Sequence, residues 1–344
     1  MVINRISNRI IIVGVFCVVF IWGCAQQAQQ PVVPQAGQGP GKIAPKGSIK
    51  IALKPAIDQR TSYKVTTYAR RNIKWQGPVP KKEAFEESST EEQIEMGFTQ
   101  HIQSVDAEGK SFARITIDSL KCLSVMKNKP TVDFDSSRQS DLDSPLAKLI
   151  GQSYTIEVEP DNYISSVLDL SQAQSLVSGR TSADRVGQNI LSSEAITERH
   201  AALLLPQQSK EHLRPGDKWS IVKTFSFGMM GTKSYEKIYT LKEVQDVSGH
   251  QIAVIDMNAI PTSEIEQGYK VPQAGTDFPK MFDTSEFYKG AGEVDLTAGC
   301  INSYRENLQA SWVTAFPSDA QSDPNGPVVL RMTATRNYSL EKIK

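Results

Sequence analysis

The chain has 344 residues, with 38 basic and 38 acidic side chains. This balance lacks the basic excess that is typical of nucleic-acid-binding proteins, so the sequence predicts no nucleic-acid partner. The length is sufficient for two ordinary domains or for one large module with a substantial core.

The first segment has the features of an export signal. Arg5 and Arg9 precede an uninterrupted apolar run of 13 residues, from Ile10 to Trp22. A membrane-spanning helix needs about 20 apolar residues, so this run has the length of a signal peptide rather than of a permanent anchor.

The end of the apolar run resembles the lipobox of bacterial lipoproteins. Ile21 stands at minus three, Gly23 at minus one, and Cys24 at the position that is acylated. Trp22 departs from the pattern, because a small residue is usual there. The resemblance implies a signal peptide over residues 1–23 and a lipid on Cys24 that holds the chain on a membrane outside the cytoplasm. No aspartate stands directly after Cys24, where Ala25 and Gln26 lie. By the same resemblance this predicts the periplasmic face of the outer membrane in a two-membrane host.

Residues 24–47 are rich in Gln, Pro and Gly and have no periodic apolar pattern. Such a composition buries too little apolar surface to offset the conformational entropy of the chain. We therefore predict a disordered tether between the anchor and the folded body.

A first β-rich half is predicted over residues 48–170. Apolar and polar residues alternate over residues 63–75, 98–105, 112–125 and 154–158, and a period of two is typical of strands. Gly, Asp, Asn and Pro lie between these runs and favour tight turns, so the sequence predicts antiparallel hairpins.

The period then changes to that of a helix. Ile190, Ile196 and other apolar residues recur near helical spacing within residues 171–205, and Leu203 closes the pattern. We predict a helical connector over residues 171–213 and a second β-rich half over residues 214–344.

An internal repeat relates the two halves. Residues 105–120 align with residues 244–260 so that Gly109 matches Gly249, and residues 154–167 align with residues 292–304 at nearly the same offset. Two matches at nearly the same offset favour a duplication, although convergence of hairpin sequences stays an alternative.

Residues 203–220 resemble the junction of a family of uncharacterised bacterial lipoproteins, in which Leu-Pro is followed by Gly-Asp-x-Trp. The similarity extends over residues 49–340 in the order of its parts. It implies an exported, anchored, non-catalytic protein with two β-rich halves, and it transfers no active site. In physical terms, Pro215, Gly216 and Asp217 predict a tight turn, and Trp219 predicts a large core anchor.

No residue pattern in the chain predicts catalysis. The sequence has no nucleophile elbow, zinc-protease helix, P-loop or dinucleotide-binding glycine motif. Cys122 and Cys300 are either a disulfide or two separate buried thiols. The four histidines have no metal-ligand spacing, which predicts no metal site. They are His101, His200, His212 and His250. We therefore expect no metal, cofactor or catalytic residue.

These patterns predict a β-rich α+β fold. Its two related antiparallel twisted sheets are either separate or joined as one curved, half-barrel-like sheet, with the helical insert across one face. The leading functional hypothesis is a lipid carrier, in which Ile190, Ile196 and Leu203 line a lid over a lipid or another hydrophobic envelope ligand. The alternative is a structural or assembly lipoprotein that contacts envelope proteins or polysaccharide, in which these three residues are ordinary core.

Overall fold

The computed structural model describes residues 47–76, 87–160, 163–202, 212–266, 269, 278–316 and 328–343. The predicted signal peptide, the predicted tether up to residue 46, Cys24 and Leu203 lie outside the described residues.

The predicted alternating runs of the first half are strands. Buried and exposed side chains alternate along much of each strand, because successive side chains point to opposite faces of a sheet. The strands are β1 (Arg60–Gln76), β2 (Ser88–Val105), β3 (Ser111–Met126), β4 (Lys129–Asp135), β5 (Ser153–Val158) and β6 (Ile164–Leu168).

Three α-helices follow, within the segment predicted to be helical. They are α1 (Ser171–Ser175), α2 (Ser182–Ile190) and α3 (Ser193–Ala201). Thr181 begins α2 with a capping box, since its side chain accepts from the Asp184 backbone N–H and the Asp184 side chain accepts from the Thr181 backbone. Ser192 caps α3 with a single bond, since its side chain accepts from the Ala195 backbone N–H.

The second half is again built of strands. They are β7 (Lys218–Ser226), β8 (Thr232–Val247), β9 (His250–Thr262), β10 (Asp283–Asp295), β11 (Cys300–Phe316) and β12 (Val328–Ile343). The β-rich α+β fold predicted from the sequence is therefore confirmed. Short 3-10 helices lie at Gln139–Asp141, Pro145–Leu149, Gly228–Met230 and Phe278–Met281.

The two halves form one continuous antiparallel sheet rather than two separate sheets. The strand order is β6-β5-β3-β2-β1-β12-β11-β10-β9-β8-β7, and β4 pairs with β3 outside this path. The long pairing of β1 with β12 joins the halves. The path ends at β6 on one side and at β7 on the other, and the helical connector lies between these two strands in the chain.

The aligned glycines occupy equivalent turns. Gly109 lies between β2 and β3 with φ of 91°, and Gly249 lies between β8 and β9 with φ of 84°. Only glycine adopts this left-handed conformation without strain. The strand that precedes each turn contains an irregularity at the matching position, after Ile102 in β2 and after Leu241 in β8. This is the arrangement that a duplication predicts.

A strap of residues 47–59 runs along one end of the sheet. Ile49 and Leu213 exchange both backbone hydrogen bonds, at 2.8 and 2.7 Å. The Lys54 N–H donates to the Gly299 carbonyl at 3.0 Å, and the Asp58 N–H donates to the Ile102 carbonyl at 2.9 Å. The strap therefore ties both halves together at this end.

Candidate functional site

Two of the three residues proposed to form a lid, Ile190 and Ile196, lie in the core. Neither Ile190 nor Ile196 has any surface that a water molecule can reach, since both are 0% exposed. A side chain that lines a cavity of even one water molecule would expose part of its surface to it. In this structure the two side chains therefore pack as core residues, and Leu203 lies outside the described residues.

Buried polar groups connect helix α3 to the face of the sheet on which the helices pack, which we call the inner face. Tyr154 of β5 and the Nε2 atom of His200 are 2.7 Å apart, and the Arg199 guanidinium donates to the Ile190 carbonyl at 2.9 Å. Tyr338 of β12 donates its hydroxyl to the Arg199 carbonyl at 2.6 Å. Burial, together with the nearby Arg199 charge, holds the pKa of His200 well below its usual value, so this imidazole is neutral at pH 7.

The inner face of the second half contains a buried ion pair that the sequence did not predict. The Lys237 ammonium of β8 donates to the Glu306 carboxylate of β11, and the two side chains are only 9% and 15% exposed. Tyr288 and Tyr304 also donate their hydroxyls to Glu306. The Lys237 ammonium lies 5.5 Å from the Tyr239 ring centroid and 5.7 and 5.8 Å from those of Tyr288 and Tyr304.

Both members of this pair are charged. Burial by itself raises the pKa of the Glu306 carboxyl, but the facing Lys237 and the hydrogen bonds to Glu306 outweigh burial and lower it. Burial lowers the pKa of Lys237, and the Glu306 carboxylate and the neighbouring tyrosines raise it to well above its usual value. A buried pair needs such additional hydrogen bonds to offset its desolvation.

Two glycines of β10 make room for the cluster. A Cβ at Gly290 would lie 2.6 Å from the Arg305 carbonyl oxygen and 3.3 Å from Cγ of Glu306. A Cβ at Gly292 would lie 2.9 Å from the Tyr304 ring. The spacing Gly-x-Gly on a strand is the one sequence signal that points to crowding on this face.

Trp219 borders the same cluster. It is 4% exposed and stacks on Tyr239 with ring centroids 5.5 Å apart. The turn that precedes it is closed by Asp217, whose carboxylate accepts from the Arg214 backbone N–H at 2.8 Å. Gly216 occupies this turn with φ of 91°. Its burial and stacking make Trp219 part of the core.

Cys122 and Cys300 are free, buried thiols rather than a disulfide. Burial raises the pKa of the Cys122 thiol to about 12, with a smaller contribution from Glu92, so it is protonated at neutral pH and a poor nucleophile. His101 faces Asp58 at 3.4 Å, and His250 faces Asp295 at 2.8 Å. Among the described residues, no group of three potential ligands is placed to hold a metal ion.

A polar groove lies on the opposite, outer face of the sheet, where β2, β1, β12 and β11 run side by side. Its volume is about 410 Å³. Tyr68 is paired in register with Gln93 on one side and with Asn337 on the other, so these three side chains share a face. The groove is lined by the side chains that share this face, and Glu306 and Tyr338, whose side chains lie on the inner face, adjoin it. The residues on the outer face are Thr66, Tyr68, Gln93, Arg305, Asn337 and Ser339.

Several polar side chains of the outer groove, unlike Lys237 and Glu306 on the inner face, lack hydrogen-bond and ion-pair partners among the described residues. Within the described part of the chain, the side chains of Tyr68, Gln93, Arg305 and Ser339 make no hydrogen bond or ion pair with one another or with a neighbour. Flanking charges on β1 are paired instead, Lys64 with Glu341 at 3.6 Å and Arg70 with Glu91 at 3.8 Å. The groove therefore presents polar side chains without hydrogen-bond partners, and these flanking charged side chains beside it form ion pairs.

Comparison with known proteins assigns no family. No family model matches the chain, and no curated protein matches it. A structure titled for lipid–protein interactions in lipovitellin is 12% identical with a TM-score of 0.41; the match covers 84% of this chain but only 25% of the lipovitellin chain. OpdL and OpdQ of Pseudomonas aeruginosa are 8% and 7% identical, each with a TM-score of 0.20 over 83% of this chain and 99% of theirs.

None of these structural similarities reaches a TM-score of 0.5, so none assigns a function. Within the residues that the structure describes, no helix has the length and apolar content to span a membrane.

Proposed function

We propose that the chain is a non-catalytic lipoprotein of the bacterial cell envelope, anchored through Cys24, that contacts other envelope components through the outer face of its sheet. In a two-membrane host the anchor lies in the periplasmic face of the outer membrane. The contrast between the two faces carries this proposal. On the inner face, the charges of Lys237 and Glu306 satisfy one another, and Ile190 and Ile196 are sealed from water. On the outer face, free polar side chains converge on one groove.

The anchor is tested by Cys24→Ser. Acyl burial contributes about 0.8 kcal/mol per CH₂ group, and stable attachment requires more than one chain, so loss of the acylated sulfur is expected to release the protein from membranes. Cells that express the wild type or the variant are fractionated, and membranes are washed at alkaline pH before detergent partitioning. We expect the wild type in the detergent phase and an uncleaved, unlipidated variant that partitions incompletely.

Cys122→Ser is the matched control, because it removes a buried thiol and leaves Cys24 intact. It is expected to partition like the wild type. If Cys24→Ser enters the detergent phase as completely as the wild type, the chain is not anchored in this way.

A second candidate function is the carriage of a hydrophobic envelope ligand. It is favoured by the position of the helical connector, which lies in the chain between the two end strands β6 and β7 and packs on the inner face. A ligand would have to displace these helices, since Ile190 and Ile196 leave no space beside them. This displacement would also break the bond from Tyr338 to the Arg199 carbonyl.

A further inference from the structure

The outer groove combines three kinds of chemistry. Gln93, Asn337 and Ser339 supply amide and hydroxyl groups that both donate and accept hydrogen bonds. Tyr68 supplies a ring face with a polar tip. Arg305 supplies an unpaired guanidinium, which suits the two oxygens of a carboxylate.

The amide of Asn337 is oriented by its neighbours. Gln309 donates to the Asn307 side-chain oxygen at 3.2 Å, and the Asn307 amide in turn donates to the side-chain oxygen of Asn337. With its oxygen engaged in this way, Asn337 keeps its own NH₂ group for a ligand acceptor. This chain of amides runs along β11 and β12 on the outer face and holds one donor in place at the groove.

The position of the groove limits what can bind. Strands β1 and β12 lie in the middle of the sheet and are paired on both sides over this region. An extended peptide therefore finds no free strand edge to pair with here. An acyl chain finds few apolar side chains in this groove. Among the described residues that line it, Arg305 is the one unpaired cation, and nucleic acid would need more than one.

We infer that the groove binds a saccharide that carries carboxylate groups, as a uronate-containing polysaccharide does. This inference rests on the proposed contact function and names the chemistry of its partner. Hydroxyl groups of the saccharide pair with Gln93, Asn337 and Ser339, a sugar ring lies on Tyr68, and Arg305 binds the carboxylate. The volume of about 410 Å³ lies within the range of small-molecule sites and accommodates a short stretch of such a chain.

The test is calorimetric titration of the full chain, extracted in detergent, with hexagalacturonate and with a neutral hexagalactose. We expect hexagalacturonate to bind at least about tenfold more tightly than the neutral sugar, because a charge-assisted pair with Arg305 is lost in the neutral ligand. Arg305→Gln is expected to abolish most of this preference. Tyr68→Ala is expected to weaken both sugars.

Arg331→Gln is the matched control. Arg331 is exposed on β12, six residues before Asn337, so it lies on the same face but outside the groove. Its replacement changes the net charge equally and is expected to change affinity less than about twofold, once screening by salt is allowed for. Unchanged denaturation midpoints establish that each variant is folded.

Several results would overturn the inference. They are the absence of hexagalacturonate binding, an equal loss of affinity for hexagalacturonate in Arg331→Gln and Arg305→Gln, and binding of hexaglutamate that depends on Arg305 and is as tight as that of hexagalacturonate. The anchor is measured separately by fractionation. If the protein partitions through Cys24 but binds no uronate, the proposed anchor stands and the saccharide partner is wrong. If the protein binds uronate but does not depend on Cys24 for partitioning, the saccharide partner stands and the anchor is wrong.

Discussion

Glu306→Gln is expected to lower the free energy of unfolding by about 3 to 5 kcal/mol, because it leaves the buried Lys237 ammonium without its counter-charge. The substitution keeps the size of the side chain and one acceptor oxygen, so the loss reports the charge. Tyr288 and Tyr304 would also lose a charged acceptor for their hydroxyls. Denaturant unfolding of the full chain in detergent measures the effect.

Two control variants test whether the loss of stability comes from the buried charge. The double variant Lys237→Met with Glu306→Gln removes both charges and is expected to recover much of the lost stability. Asp256→Asn breaks an exposed pair with Lys242, whose side chains are 55% and 51% exposed, and is expected to cost less than about 1 kcal/mol. A cost for Glu306→Gln no larger than that of Asp256→Asn would show that the pair is not buried as the structure has it.

Trp219→Ala is expected to lower the free energy of unfolding by about 3 to 5 kcal/mol, through lost apolar burial and the cavity left against Tyr239. Trp219→Phe keeps a ring for stacking and is expected to cost less. Tyr163, which is 53% exposed, provides the control, and Tyr163→Ala is expected to have little effect. A denaturation midpoint for Trp219→Ala equal to that of the wild type would move Trp219 from the core to the surface.

Local features of the fold could be predicted from the sequence because each depends on neighbouring residues. Strands followed from the alternation of side chains, as in residues 63–75, which lie in β1. The turns at Gly109 and Gly249 followed from residue types that accept positive φ. Trp219 was predicted as a core anchor from the turn that precedes it, and its exposed fraction of 4% agrees.

The union of the halves could not be predicted because it depends on contacts between distant segments. The alternation in β1 and β12 shows that both are strands but not that Val65 pairs with Leu340. The sequence therefore predicted two related sheets and left one joined, curved sheet as the alternative. Nor does any local pattern link Lys237 to Glu306, which are 69 residues apart and look like ordinary polar residues of amphipathic strands.

The outer groove was missed for the same reason. Its side chains come from four strands, and Tyr68 and Asn337 become neighbours only through the pairing of β1 with β12. Each of them alone has the appearance of a solvated strand residue. Ile190 and Ile196 were found from helical spacing, but spacing does not distinguish a core residue from the lining of a ligand cavity.

Ile190 and Ile196 lie in a filled interior, and we propose that function resides on the outer face. Titration of the wild-type full chain with a fluorescent acyl probe, beside Ile190→Asn and Ile196→Asn, tests this most directly. We predict no saturable probe binding by the wild type, and a stability loss in both variants, because each buries an amide without a partner. Saturable binding by the wild type, lost in the variants while their denaturation midpoints remain unchanged, would contradict the account and establish a carrier.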